Sequence, residues 1–353
     1  MVHTAELTYE ASKELYDYFR TLPTTHREEN WYYNNQLREY GIRFSAGIIL
    51  RRDFGKYSIK LIINFKRVIE QDQRVDILRG EEVPLVDYAF NNLMEQHMPG
   101  MPRFADWNLK RIDYCVNVRM PNVSYYVRCL QKCDVPYFYR LDYDANRNYV
   151  RKPGSVYLVG KGKVRNRSTT INIYDKYDQW RKEGTDPAVL EQARDILRIE
   201  VQCHKTKTDS IRKKYGLPSK KVKCFLDEQI AYEVLEESIN RITRYATFQR
   251  RAVAMKLIQA SKHTKETKDK LIKLVSDVAV QHQNIAKVRN RYEESGYMNK
   301  DTFRSYLEYL EKMDVNAVTV PNNVWLEGKT YQEGLPRLLD VFHDAFYNEM
   351  GIQ

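Results

Sequence analysis

The spacing of hydrophobic residues predicts six strands in the first 204 residues. Apolar and polar side chains alternate along each run, as they do in strands with one buried face. Two closely spaced pairs of runs predict two hairpins. The six runs cover residues 46–52, 57–68, 108–119, 155–160, 169–177 and 197–204.

Hydrophobic residues three and four positions apart predict helices before, between and after these strands. From the first hairpin onward, the order is hairpin, helix, strand, helix, hairpin, helix, strand. Because this order is not a regular strand–helix alternation, we expect an α+β fold with a largely antiparallel sheet and flanking helices. The predicted helices cover residues 5–19, 85–98, 124–133, 188–196, 209–215, 225–244, 251–258, 269–283 and 300–313.

The strand pattern fades after residue 204, which indicates a second, helical unit. Short helices followed by the strand-like stretch NAVTVP, residues 316–321, resemble a winged helix-turn-helix. We expect the boundary between the two units at residues 240–250, because the long helix predicted at 225–244 ends there. We therefore predict two domains, 1–245 and 246–353.

The composition excludes several classes of protein. With 42% hydrophobic and 30% charged residues, the chain can form a packed core and is not disordered throughout. No apolar run approaches eighteen residues, and no secretory signal precedes the first helix, so neither a membrane span nor export is expected. Five cysteines without a CxxC pair argue for reduced thiols and a cytoplasmic protein.

The charge is distributed unevenly along the chain. Lys and Arg number 58 against 47 Asp and Glu, a net charge of +11. Residues 205–300 hold 22 of these bases and 11 of these acids, so this segment carries the whole excess. A basic segment favours a nucleic-acid partner, since each neutralised phosphate releases counterions. A basic solvent-exposed surface without a partner is the alternative.

Two of the predicted strands carry polar side chains that could meet. In LRIEVQCH, alternation places Glu200, Gln202 and His204 on one face, and Asp113 lies on a polar face of the strand at 108–119. If the strands are neighbours, these side chains converge, and such ligands suit Mg²⁺ or Mn²⁺. The solvated side of a sheet is the alternative interpretation.

A tyrosine in the basic segment is a candidate nucleophile. Tyr215 ends a short helix that Gly216 and Pro218 would terminate, and lysines and arginines surround it. A phenol can attack phosphorus if cations lower its pKa and neutralise the phosphate. A packing role is the alternative, because the chain contains 27 tyrosines.

Several segments, in this order, resemble one family of proteins. They are RIDYCVNV, SVYLVG with TTINIYDKYDQW, ILRIEVQCHK, KKYGL and YLEYLEKMDVNAVTVPNNVW, which lie between residues 108 and 325. Their order and spacing resemble the rolling-circle replication initiators of the phage and plasmid gene II/gene X type, and related plasmid and conjugative-element initiators.

The resemblance implies an HUH-like sheet and a site-specific single-strand DNA endonuclease. A tyrosine would attack one phosphodiester, leaving a 5′-phosphotyrosine and a free 3′-OH. By this resemblance Asp113, Glu200 and Gln202, with His204 as a further ligand, would hold Mg²⁺ or Mn²⁺, and Tyr215 would be the nucleophile. The chain lacks the family's His-hydrophobic-His pair, which leaves the ligand set open.

The remaining motif residues have two readings each. Tyr174 and Lys176 match the family's YDK motif. Tyr174 is expected to pack or stack, so Tyr177 is the better alternative to Tyr215 as the nucleophile. Asn117 stands where relatives have a second acid, which weakens it as a ligand. The residues expected to contact DNA are Lys176, Lys205, Lys207, Arg212, Lys213, Lys214, Lys300 and Arg304.

The expected partners are the origin, as duplex and as single strand, and no membrane. A host helicase or polymerase and a second copy of the chain are further candidates. Two other functions remain open from the sequence: a DNA-binding regulator without catalysis, favoured by the missing His pair, and a conjugative relaxase, which shares the chemistry.

Overall fold

Ten strands of the described chain form one sheet in which every neighbouring pair is antiparallel. The computed structural model describes residues 1–28, 31–51, 54–72, 74–135, 139–141, 154–160, 168–242, 247–327 and 334–350. The strand order is β2-β3-β4-β5-β1-β6-β10-β9-β8-β7. The strands are β1 (Val2–Glu10), β2 (His26–Glu28), β3 (Trp31–Asn34), β4 (Ile42–Arg51), β5 (Phe54–Asn64), β6 (Asn108–Arg119), β7 (Tyr139–Leu141), β8 (Ser155–Gly160), β9 (Thr169–Asp175) and β10 (Ile196–Cys203).

Helices fill the connections and the C-terminal third, where two further short strands, β11 (Phe248–Gln249) and β12 (Gly334–Leu335), pair with each other. No described helix has the length and apolar character needed to cross a membrane. The helices are α1 (Lys13–Thr21), α2 (Phe65–Glu70), α3 (Val83–His97), α4 (Val123–Lys132), α5 (Lys176–Lys182), α6 (Pro187–Leu190), α7 (Lys205–Lys214), α8 (Glu228–Ile242), α9 (Arg251–Ala260), α10 (Lys265–Ala279), α11 (Ile285–Glu294), α12 (Lys300–Lys312) and α13 (Leu338–Met350).

The two faces of the sheet have different surroundings. On the helical face, Tyr114 of β6 and Val201 of β10 are cross-strand partners in the core, and the Tyr114 hydroxyl donates to the Phe225 carbonyl just before α8. Alternation turns Asp113 and Glu200 to the opposite side, the polar face. At one end of the polar face, Trp180 of α5 packs in a small hydrophobic cluster with Val75 and Ile196.

The α+β class and the large antiparallel sheet are confirmed, but two predicted elements are wrong. The predicted helix 5–19 is instead β1, a central strand, followed by α1, which begins where the Ser12 side chain accepts from the Leu15 amide. The buried residues Ala5 and Leu7 alternate with the more exposed Thr4 and Glu6. This period of two suits a strand.

The second correction concerns the predicted strand 57–68. It ends at Asn64 because the Asn64 side chain accepts from the Arg67 amide and begins α2. Residues 65–68 are therefore helical, with Phe65 and Val68 buried under the sheet.

The C-terminal helix packs back onto the sheet. On α13, Phe342 stacks on Tyr232 of α8 with ring centroids 5.6 Å apart, and His343 lies 3.0 Å from Glu236. Within the predicted strand 316–321, the described backbone forms an isolated bridge between Val320 and Arg250. The last helix of the predicted second domain thus belongs to the layer that covers the first, while the HUH-like and winged-helix arrangements stay predictions.

Candidate functional site

The polar face of β6, β10 and β9 gathers acidic, amide and phenolic side chains. Asp113 is the cross-strand partner of Gln202, and Glu200 is the partner of Asn172. Asp113 and Glu200 are therefore diagonal neighbours on adjacent strands, as the alternation in their sequences predicts. Both side chains are nearly inaccessible, at 1% and 6% exposure.

Glu200 lies at the centre of this cluster. Gln202 donates to its Oε1 at 3.0 Å, the Tyr174 hydroxyl donates to its Oε2 at 3.4 Å, and His3 Nδ1 lies 3.4 Å from Oε2. Burial by itself raises the pKa of Glu200, but the hydrogen bonds and charges of His3, Gln202 and Arg198 outweigh it and bring the pKa to about 2. Glu200 is therefore a buried, ionised carboxylate.

Asp113 has the opposite behaviour. Burial raises its pKa to about 7, opposed by Arg111 and reinforced by the negative charge of Glu200. The Thr4 hydroxyl and Arg111 Nη2 donate to its Oδ2. Its Oδ1 lies 3.0 Å from Arg111 Nε, but neither atom makes a hydrogen bond within the described structure. Two close carboxylates whose pKa values move apart are typical of functional sites.

Two buried basic residues lie near Glu200. Arg198 is 1% exposed and donates to the Val75 carbonyl and, at 2.8 Å, to Asn117 Oδ1. Asn117 thus orients Arg198, which accounts for an amide at this position. Burial, with the nearby Arg198, lowers the pKa of Lys176 well below its usual range, and its Nζ donates to Gln179 at 2.9 Å.

The metal ligands expected from the sequence are partly assembled. Asp113, Glu200 and Gln202 share the polar face, and His204 Nε2 lies 3.2 Å from the hydroxyl of Thr170, the cross-strand partner of Gln202. Among the described residues, no group of three or more His, Cys, Asp and Glu side chains could hold a metal ion.

Two buried oxygens on the polar face could nevertheless bind a hard cation. Asn172 Oδ1 has no hydrogen-bond partner in the described part of the chain, and Asp113 Oδ1 makes no hydrogen bond there although it lies 3.0 Å from Arg111 Nε. A buried acceptor without a hydrogen bond costs stability, so a ligand on either oxygen would be favoured. Because Mg²⁺ keeps several waters and commonly binds one or two carboxylates plus substrate phosphates, the two acids suit it without a third.

Tyr215 lies in the helical layer, apart from the acids. It follows α7, and its hydroxyl donates to Glu233 of α8 at 2.6 Å, with Lys214 Nζ 3.0 Å away. Burial raises the pKa of Tyr215, and so does the bond to Glu233, while Lys214 opposes them. The Tyr215 hydroxyl is therefore held by Glu233 in the helical layer and does not face the acids of the polar face.

Tyr174 is the tyrosine that the fold places beside the acids. Its hydroxyl contacts Glu200, its ring is 4% exposed, and burial raises its pKa well above the usual value. Tyr177, the rival considered from the sequence, starts the first turn of α5, with Arg194 5.2 Å from its ring centroid.

The residues expected to contact DNA fall into two groups. Lys176 is only 3% exposed and donates to Gln179, and its contact with DNA stays a prediction. The others are partly or fully exposed, and three of them lie within ion-pair distance of an acid: Lys207 with Glu237, Lys214 with Glu233, and Arg304 with Glu308. The buried Nε of Arg212 lacks a hydrogen-bond partner in the described structure.

His3, Thr4 and Asn172 belong to the cluster but were missed in the sequence. The predicted helix 5–19 left residues 3 and 4 outside any predicted strand, so His3 and Thr4 were not considered. The period of two at Ala5 and Leu7 is the signal that indicates the strand. Asn172 alternates with Ile171 and Ile173, so its polar-face position was readable once β9 was placed beside β10.

Comparisons with protein-family models, with curated proteins and with solved structures give no match. The function is therefore argued from the geometry of the site.

Proposed function

We propose that this protein cleaves single-stranded DNA through a tyrosine nucleophile, as a rolling-circle replication initiator does. The observation that carries the proposal is the contact between the Tyr174 hydroxyl and Glu200 Oε2, at 3.4 Å, beside Asp113. A phenol and two carboxylates, Glu200 and Asp113, thus share one face of the sheet, which supports a tyrosine nucleophile assisted by a cation.

The reaction follows from these positions. The Tyr174 Oη attacks phosphorus while its proton passes to the ionised Glu200 carboxylate. The bond from phosphorus to the 3′-oxygen breaks, and that oxygen leaves with the electron pair and takes a proton from water. The products are a 5′-phosphate ester of the tyrosine and a free 3′-OH. Asp113 and Glu200 would hold a Mg²⁺ or Mn²⁺ ion, whose role is to polarise the phosphoryl oxygens.

The buried arginine supports the same chemistry. Arg198 helps to lower the pKa of Glu200 and would favour negative charge on an incoming phosphate. Lys176, whose pKa is itself lowered by burial, would act in this proposal as a hydrogen-bond donor inside the site. The exposed bases of α7, among them Lys205 and Lys213, would bind the DNA backbone outside it.

Mass spectrometry of a covalent adduct tests the proposal and names the nucleophile. The protein is incubated with Mn²⁺ and a randomised single-stranded oligonucleotide library, and then digested with trypsin. We expect the adduct on the peptide that contains Tyr174, its loss in Tyr174→Phe, and its retention in Tyr215→Phe and in the matched control Tyr177→Phe. An adduct that survives Tyr174→Phe but not Tyr215→Phe would assign the attack to Tyr215. No adduct with the unaltered protein would refute the nuclease.

A DNA-binding regulator without catalysis is the second candidate, favoured by the near-complete burial of Tyr174. Calorimetric titration with Mn²⁺ separates the two functions. The nuclease predicts binding that Asp113→Asn and Glu200→Gln abolish, whereas the regulator predicts no binding and unchanged affinity for DNA in both variants.

A further inference from the structure

A second set of aromatic and basic residues lies on the polar face, at the far side of the sheet from β9. On β3, Trp31 lies over Gly47 of β4, and the Lys60 ammonium of β5 is 3.3 Å from the centroid of its ring. Next to it, His26 and Tyr33 stack with centroids 4.1 Å apart and an interplanar angle of 10°. We call His26, Trp31, Tyr33 and Lys60 the aromatic patch.

The Trp31 ring lies against Gly47 and Lys60 of the neighbouring strands. A Cβ on Gly47 would overlap the ring, so the glycine is what lets the indole lie flat on the strand. Lys60 contacts the ring and, in the described structure, has no carboxylate within ion-pair distance. A partly exposed indole fixed flat on a strand with a cation against it is a surface for stacking.

The aromatic patch lies on the same face of the sheet as Asp113 and Glu200. The strand register pairs Trp31 with Gly47, Lys60 with Thr8, and Glu6 with Arg111. Arg111 is two residues before Asp113, so alternation along each strand keeps all of these side chains on one face. Four strand spacings separate β3 from β6, about 19 Å at the usual distance between strands. Lys60 and Lys110 lie in this interval, close enough to repel each other, and Lys110 pairs with Glu6.

We propose that the aromatic patch binds single-stranded DNA, stacking unpaired bases on Trp31 and Tyr33 while Lys60 and Lys110 contact the backbone. Stacking on aromatic side chains is available to every base but requires that the base be unpaired, so the patch favours single strands over duplex. The identity of this strand as the nuclease substrate rests on the proposed function; the binding itself does not.

Fluorescence anisotropy in EDTA tests the binding without cleavage. The probe is a labelled oligothymidylate of about fifteen nucleotides, compared with a duplex of equal length. We expect Trp31→Ala to weaken single-strand binding by about 5- to 100-fold and to change duplex binding less than about twofold. Trp31→Phe should restore most of the affinity. The matched control is Trp325→Ala, which removes an indole that is 77% exposed and outside the patch.

Two further variants separate stacking from misfolding. Gly47→Ala displaces the Trp31 ring without removing any polar group, so it should weaken binding as Trp31→Ala does and add nothing in the double variant. Lys60→Met should lower the slope of log affinity against log salt by about 0.7.

Equal affinity for single strands in Trp31→Ala and the unaltered protein would overturn the inference, as would an equal loss for duplex. A change from dimer to monomer in Trp31→Ala, with DNA binding unchanged, would instead make the patch an interface between copies. Patch-dependent binding without any covalent adduct would refute the nuclease and leave this inference standing.

Discussion

Asp113→Asn should stabilise the protein at neutral and alkaline pH while it removes the proposed Mn²⁺ binding. The Asp113 carboxylate is 1% exposed and lies beside the ionised Glu200, so its charge is costly in the folded state. An asparagine keeps an acceptor for the Thr4 hydroxyl and carries no charge. Stability and function are thus opposed at this position, as they are in many active sites.

The magnitude follows from the pKa. Burial raises the pKa of Asp113 from 3.8 to about 7, and each pKa unit corresponds to about 1.36 kcal/mol of folding free energy. The full rise therefore corresponds to about 4 kcal/mol, and relaxation around the buried charge reduces this to an expected gain of about 2–4 kcal/mol. Because the folded pKa is above the unfolded one, the unaltered protein loses this stability as pH rises from about 4 through 7.

Urea unfolding in EDTA at several pH values between 4 and 8 measures the effect. The two proteins should have nearly equal unfolding free energies at pH 4, and the variant should be the more stable at pH 8. The matched control is Asp87→Asn, which removes a surface acid 2.6 Å from Lys223 and should cost less than about 1 kcal/mol at every pH. A difference between Asp113→Asn and the unaltered protein that does not change with pH, or a less stable variant at pH 8, would refute the reasoning.

Two further predictions test the packing. Burial raises the pKa of Cys129 to about 12, so iodoacetamide at pH 8 should label the partly exposed Cys224 first and Cys129 only after unfolding. Peptide mass spectrometry would measure the order of labelling, and early labelling of Cys129 would contradict its buried position. Phe342→Ala should lower the free energy of unfolding by about 3–5 kcal/mol, because α13 packs on Tyr232 and the sheet. Denaturant unfolding should keep a single transition, whereas two separate transitions would indicate that α13 belongs to an independent unit.

Much of the fold could be predicted from local patterns. The predicted strand 108–119 coincides with β6, and the predicted strand 197–204 differs from β10 by one residue at each end. Their alternation also indicated which side chains share a face, so Asp113, Glu200 and Gln202 were identifiable before any pairing was known. The prediction for the N-terminal segment is wrong because its Ala, Glu and Leu residues suit a helix locally, while its place between β5 and β6 made it a strand.

The sequence by itself determined which residues are chemically available and how they alternate along each strand, because both properties depend on near neighbours. Only the tertiary structure decided which strands are adjacent and in which register. That pairing brought His3 to Glu200 and placed the Tyr174 hydroxyl against the same carboxylate, while α7 and α8 turned Tyr215 towards Glu233. The partners are 26 residues apart for Tyr174 and about two hundred for His3, so no periodicity could reveal them.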